Sequence, residues 1–260
     1  MNIHEKYIKR CIELAENGLG STYPNPMVGS VIVHKNRIIG EGWHQKAGQA
    51  HAEVNAINSV QDQELLKDST IYVSLEPCSH FGKTPPCSDL IIDRGIPKVV
   101  IGTMDPFAKV AGRGIKKLLE AGKEVQVGIL EEECNALNKR FFTFHKKHRP
   151  YIILKWAQTR DLFLAPETKD TNRPVWISNR YSKQLVHKWR SEESGILVGT
   201  GTAKADDPRL DVRNWSGTPP VRLVIDRELK LPKDLALFDL SIKTIVLNEK
   251  ITEKKHENLV

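Results

Sequence analysis

No apolar run in the 260 residues approaches the roughly 20 that a membrane-spanning helix requires, and no internal repeat or low-complexity tract interrupts the chain. The opening segment MNIHEKYIKRCIELAENGLG lacks the apolar core of a secretion signal, so a cytoplasmic location and no membrane partner are expected. Cysteines number only four, too few for a disulfide scaffold and, in a reducing compartment, better suited to metal or core roles. A basic stripe is also missing. The net charge is +7, but Lys and Arg are scattered apart from the run Lys146, Lys147, His148 and Arg149. That scatter argues against a nucleic-acid partner and suits a small phosphorylated substrate, which a few cations can hold. With 40% hydrophobic and 27% charged residues, the chain has the balance of an ordinary globular protein, and its length favours two domains.

Periodicity gives the order of elements. The first segment reads as an amphipathic helix with Ile3, Tyr7, Ile8, Cys11, Ile12 and Ala15 on one stripe. VGSVIV and RIIGEGW, separated by the polar HKNR, read as a hairpin. A helix opens at His51 in HAEVNAINSV. Then come strand TIYVSLE, a Pro- and Cys-bearing loop, helix SDLIIDRG, strand KVVIG, helix GIKKLLEAG, strand EVQVGIL and one long helix EEECNALNKRFFTFHKK. Alternation at this spacing predicts an α/β sandwich with helices over a buried sheet. The stretch from His145 to Pro150 breaks the apolar pattern and ends in a helix-stopping proline, which places a boundary between a domain 1–145 and a second α/β series 150–260. The second series contains YIILKWAQT, a helix around SKQLVHKWRSE, strand GILVG, the segment TGTAKADDPRLDVR, and strands VRLVID and KTIVL.

One constellation carries chemistry. His51-Ala52-Glu53 stands at a helix start, Glu76-Pro77-Cys78 follows a strand, and Cys87 lies nine positions after Cys78. Imidazole and thiolate are zinc donors, and three protein ligands leave a fourth position for a water, whose pKa falls to about 7 beside zinc. Glu53, two residues from His51, is placed to move protons rather than to share the metal. Singly, a His at a helix start is usually a cap and a Cys is usually core. Together these residues match the zinc-deaminase pattern H-x-E…P-C-x-x-C except that SHFGKTPP separates the two cysteines. Cys11 and Cys134, on apolar helical stripes, read as core.

That insertion narrows the class to a family. EPCSHFGKTPPC, with HAEVNAI upstream and YPNPMVG near the N-terminus, resembles the deaminase half of the bifunctional riboflavin-biosynthesis deaminase-reductases, across nearly all of residues 1–150. The resemblance implies a cytidine-deaminase-like three-layer sandwich and a homo-oligomer. It also implies hydrolytic deamination of 2,5-diamino-6-(5-phosphoribosylamino)pyrimidin-4-one, with His51, Cys78 and Cys87 on zinc and Glu53 as proton shuttle. By the same resemblance Asn25 hydrogen-bonds the pyrimidine, while His44, His80 and Lys83 contact the ring or the phosphoribosyl group. Asn25 between two prolines also fits a plain turn, and Lys83 a solvated surface.

RPYIILKWAQT, VWIS, GILVGTGTAKADDPRLDVR and PPVRLVID resemble the reductase half of the same family, implying part of a dihydrofolate-reductase-like α/β domain in which NADPH reduces the ribosyl group to ribityl. Carried over by motif, Gln158, Trp176, Thr202 and Asp206 fall at the cofactor, and Arg190, Leu210 and Arg213 at the substrate. Trp176 and Leu210 fit core positions equally well. Two departures stand out: Arg160-Asp161-Leu162 replaces the family's Leu-Asp-Gly turn, and the sequence ends before the late glycine-rich loop of the reductase. A fragment, a partner that supplies cover, or lost reduction each accounts for the second departure. Two rival functions remain open: a tRNA adenosine or cytidine deaminase, and a zinc-stabilised scaffold in which the three ligands serve folding alone.

Overall fold

The computed structural model describes residues 2–80, 85–107, 111–166, 168 and 176–250, which fall in two compact units, Met1–Ile152 and Ile153–Val260. Helix α1 (Ile3–Glu16) starts where Asn2 and Glu5 form a reciprocal capping box, each side chain taking a backbone N–H of the other's turn,. Strands β1 (Gly29–His34) and β2 (Arg37–Trp43) pair antiparallel. Their connection is made by Lys35 and Asn36, both at positive φ, the twist that a tight hairpin needs. β3 (Thr70–Leu75) pairs antiparallel with β1, and β4 (Lys98–Thr103) and β5 (Glu124–Val127) follow in parallel, giving the order β2-β1-β3-β4-β5.

The apolar strands are buried on both faces, and alternation sorts their side chains between two helical layers. Ile32, Ile71, Val73, Val99 and Ile101 pack with Ala56, Ile57, Ile91 and Leu118 from α2 (Ala52–Asn58), α3 (Cys87–Asp93) and α4 (Arg113–Glu120). Val31, Val33, Tyr72 and Val100 pack with Tyr7, Ile8, Cys11 and Leu14 of α1 and with Cys134 of α5 (Glu131–Leu137). The result is the three-layer sandwich expected from the sequence, with Cys11 and Cys134 fully buried. One element differs. The long helix over EEECNALNKRFFTFHKK is two, α5 and α6 (Lys139–Lys147), broken at Asn138 with φ −101° and ψ 25°. Its side chain bonds Met27 of the chain's first loop, a demand that the helical period does not reveal.

The second unit holds α7 (Arg180–Glu192), β6 (Gly195–Val198), α8 (Thr200–Asp206), β7 (Val221–Ile225) and β8 (Thr244–Leu247), the strands parallel in the order β6-β7-β8. Ala203, Leu210, Val224, Leu231 and Leu237 form its core. On the strands Leu197, Ile225, Ile245 and Leu247 are exposed. Residues 151–159 form neither helix nor strand, and Leu154 and Trp156 are exposed. No helix among the described residues is long and apolar enough to cross a membrane.

α2 lies unusually close to β2 because β2 carries glycine where the two meet. A Cβ on Gly42 would stand 2.4 Å from the Ala56 backbone nitrogen and 2.6 Å from Asn55 Cβ, so any side chain there pushes away the helix that bears Glu53. Gly42→Ala is expected to cost about 1–3 kcal/mol by overpacking, read as a fall of several degrees in Tm by calorimetry. An unchanged Tm would show that α2 is not fixed by this contact.

Candidate metal centre

The sheet brings three separate segments to one end of β3. His51 is the N-cap residue of α2, yet its ring makes no cap hydrogen bond, which frees it to face β3. Cys78 follows β3 by three residues, and Cys87 is the first residue of α3. His51 Nδ1 lies 3.5 Å from Cys78 Sγ and 3.4 Å from Cys87 Sγ, and all three donor atoms stand within 4.8 Å of one another. A tetrahedral zinc with bonds of about 2.1 Å to nitrogen and 2.3 Å to sulfur separates its ligands by about 3.6–3.8 Å. The donor set and its spacing therefore fit a zinc ion, and among the described residues the group contains these three and no fourth donor.

The electrostatics favour an ionised sulfur. Cys78 is pulled down to about 4 by hydrogen bonds from the Cys87 thiol, the His51 ring and the Cys87 amide, the last at 3.3 Å,. The same sulfur raises His51 to about 9, against the opposing effect of burial. Cys87, next to an already charged sulfur and buried, is pushed up. Glu53 is 3% exposed, and that burial raises its carboxyl to about 7 despite the opposing charge of His51. A carboxyl that exchanges its proton near neutrality suits a group that must both take and return one.

His44 and Asn25 are brought to the same place. The His44 ring meets that of His51 edge-on at 5.5 Å between centroids. Its Nδ1 lies 3.0 Å from the Ala50 carbonyl oxygen, and its Nε2 lies 3.1 Å from Asn25 Nδ2. A carbonyl oxygen only accepts, so Nδ1 carries a hydrogen in that bond. His80 is exposed, with its ring 6.4 Å from Phe107, whose ring in turn lies 5.0 Å from His145. Lys83 lies outside the described residues.

In the second unit Arg190 and Arg213 converge on Asp211. Arg190 Nη1 donates to the Asp211 backbone oxygen at 3.1 Å and Arg213 pairs with the Asp211 carboxylate. Arg190 Nε is buried without a hydrogen-bond partner among the described residues, and burial together with Arg213 pushes its guanidinium down. Leu210 is 4% exposed in the core with positive φ, so its side chain packs inward and only its backbone is free to meet a ligand. Thr202 is exposed on α8, and Asp206 ends that helix half-buried. Gln158 accepts from Trp156 Nε1 at 2.8 Å, and the Trp176 ring lies 3.5 Å beneath Lys183 Nζ.

Two residues of structural weight were not singled out from the sequence. Asn138 is one. The other is Glu76, only 4% exposed, whose carboxylate accepts N–H bonds from Asp105 at 3.3 Å, Gly112 at 2.9 Å, Gly114 at 3.0 Å and Ile115 at 3.3 Å. It ties the first turn of α4 to the Pro77-Cys78 turn, and a charge closing an apolar strand is the signal that could have found it. Glu76→Ala strips four amides of one acceptor. Each unpaired buried group costs about 1–3 kcal/mol, so the urea midpoint is expected to fall sharply, and to fall less for Glu76→Gln. Equal midpoints for the two variants would show that the charge contributes nothing.

Comparison with known proteins bears on both halves. Residues 1–103 match the family profile described as the cytidine and deoxycytidylate deaminase zinc-binding region, and residues 150–260 match that of the RibD C-terminal domain. The riboflavin biosynthesis protein RibD of Aquifex aeolicus is 45% identical over 97% of this chain and 70% of its own length. That of Actinobacillus pleuropneumoniae is 46% identical over 89% and 60%. The chain thus spans 60 to 70% of the length of these two relatives. The crystal structure of a diaminohydroxyphosphoribosylaminopyrimidine deaminase/5-amino-6-(5-phosphoribosylamino)uracil reductase from Thermotoga maritima superposes with a TM-score of 0.87 at 43% identity, covering 95% of this chain and 70% of that one. Acinetobacter baumannii RibD gives 0.88 at 35%, covering 99% and 72%. A sandwich with a His-Cys-Cys cluster, followed by a parallel α/β unit of the reductase type, accounts for likeness along nearly the whole sequence: the chain belongs to the RibD family of riboflavin-biosynthesis deaminase-reductases.

Proposed function

We propose that residues 1–145 catalyse the hydrolytic deamination of 2,5-diamino-6-(5-phosphoribosylamino)pyrimidin-4-one, releasing ammonia, with zinc on His51, Cys78 and Cys87. The observation that carries this reading is the approach of two sulfurs to within 3.5 Å of one imidazole nitrogen beside the buried carboxyl of Glu53. Zinc, when bound, supplies Lewis acidity that lowers the pKa of a water in its fourth position. Glu53 takes one proton from the attacking water and delivers it to a ring nitrogen, then takes the second from the hydroxyl added at the ring carbon and delivers it to the departing amine, which leaves as ammonia. Because His44 Nε2 faces the amide nitrogen of Asn25, the Asn25 oxygen is left to accept from an amino group on the pyrimidine edge. His80 and Lys83 are assigned to the phosphoribosyl side of the same substrate.

For residues 150–260 the proposal is the first part of an NADPH-dependent reductase, with Gln158, Trp176, Thr202 and Asp206 on the cofactor side. Arg190 and Arg213 are assigned to the substrate phosphate, with Leu210 contributing its backbone. Support comes from the buried Nε of Arg190, which has no hydrogen-bond partner among the described residues, a donor suited to an anionic oxygen. Self-association, a cytoplasmic location and the absence of a nucleic-acid partner belong to the same proposal.

Ammonia release from the diaminopyrimidine phosphate, from cytidine and from tRNA tests the first assignment, and release from either of the last two alone would overturn it. Glu53→Gln is expected to keep its zinc, measured by atomic absorption, while turnover drops by about 10²- to 10⁴-fold. Full activity in that variant removes Glu53 from the mechanism. Titration with NADPH is expected to change tryptophan emission. Constant emission would withdraw the reductase reading.

A further inference from the structure

The helix break at Asn138 coincides with a clamp. Asn138 Oδ1 accepts the Met27 N–H at 2.8 Å and Asn138 Nδ2 donates to the Met27 carbonyl at 2.8 Å. One amide side chain thus pairs both polar groups of one backbone residue, 111 positions away in sequence, as a neighbouring strand would. Both partners are buried, Asn138 at 3% and Met27 at 8% exposure. An asparagine buried this deeply needs partners, and the pairing meets one donor and one acceptor on each side at once.

Met27 belongs to the loop TYPNPM, which carries Asn25 toward His44. The loop has other ties: the Thr22 N–H donates to the Gly18 carbonyl at 3.2 Å, the Asn25 N–H to the Thr22 carbonyl at 2.7 Å and the His44 N–H to the Val28 carbonyl at 2.9 Å, and Asn25 Nδ2 lies 3.1 Å from His44 Nε2. These hold its start, its exit into β1 and the end of the Asn25 side chain. Asn138 holds it at the residue two positions beyond Asn25. Without that grip the Met27 backbone loses both partners, and the Asn25 side chain keeps its contact with His44 to set its angle.

We propose that Asn138 is a positioning residue for substrate binding: it sets the Asn25 loop without touching the substrate. The break between α5 and α6 is the conformational cost of that task, because a continuous helix would carry the residue onward in helical geometry, away from the conformation that reaches Met27. The inference rests on the assignment of Asn25 to the pyrimidine edge, and its role lies in binding rather than in the chemical step.

A double-mutant cycle on the full chain tests it, with zinc content, kcat and KM for the diaminopyrimidine phosphate measured for Asn25→Ala, Asn138→Ala and the pair. Asn138→Asp, which keeps an acceptor for the Met27 N–H but sets an ionisable oxygen against the Met27 carbonyl in place of the donor, is carried alongside in both backgrounds and supplies the reading if the alanine variant does not fold,. Expected are a KM about 10-fold higher for either Asn138 variant, kcat within about 3-fold, unchanged zinc, and no further rise when Asn25 is already alanine. Amide exchange at Met27 is expected to accelerate in Asn138→Ala, and exchange at the wild-type rate there would show that the clamp does not hold Met27. If Asn25→Ala leaves KM unchanged, the assignment of Asn25 fails. If Asn25→Ala raises KM but the Asn138 variants do not, or if their effect persists in full on the Asn25→Ala background, the positioning role fails while the Asn25 assignment stands.

Discussion

Three donors can share one ion only if three lengths of chain are held within a few ångströms, and here the holding is done by the contact of α2 with β2. His51 is fixed because α2 sits almost backbone to backbone on Gly42. The same helix carries Glu53 into a dry position where its proton is loosely owned,. Cys87 enters from the first residue of α3, and its amide stabilises the sulfur of Cys78 at the end of β3. Moving α2 by the width of a methyl group disturbs the ring, the carboxyl and their distance from the sulfurs together. The site is in this sense a property of sheet packing more than of any loop.

Much of this was readable in the sequence, and the reason is physical. Strands buried on both faces leave continuous apolar runs, and helices on a sheet leave stripes, so the order of elements in residues 1–147 was legible. Zinc donors are few in kind and the carboxyl of Glu53 lies two residues from one of them, so the cluster could be named by residue type alone. The break at Asn138 could not. Its local sequence is helical throughout, and the deciding partner is Met27, over a hundred residues earlier. Leu210 shows the complementary difficulty: a motif gives a position, but only packing decides whether the side chain or the backbone is offered to a ligand.

The second unit follows a different balance. Its parallel strands cover one face with Ala203, Leu210, Leu231 and Leu237 and leave Leu197, Ile225, Ile245 and Leu247 open. Its charges are concentrated: Arg190 and Arg213 share Asp211, while burial and then both arginines push His187 down, and burial and then Arg190 push Lys155 down. Like charges kept this close together give that place a positive potential.

Glu76 leads to a last consequence. The donors at its carboxylate are backbone amides, which carry no net charge and sit at contact distance inside the protein. Mobile ions weaken attractions between exposed charges but hardly reach such a bond. The turn that presents Cys78 is therefore anchored in a way that ionic strength does not loosen, whereas the part-exposed pair of Arg213 with Asp211 is open to dissolved ions,. Within one chain, exposed ion pairs are tuned by salt while the turn beside the His-Cys-Cys cluster is insulated from it.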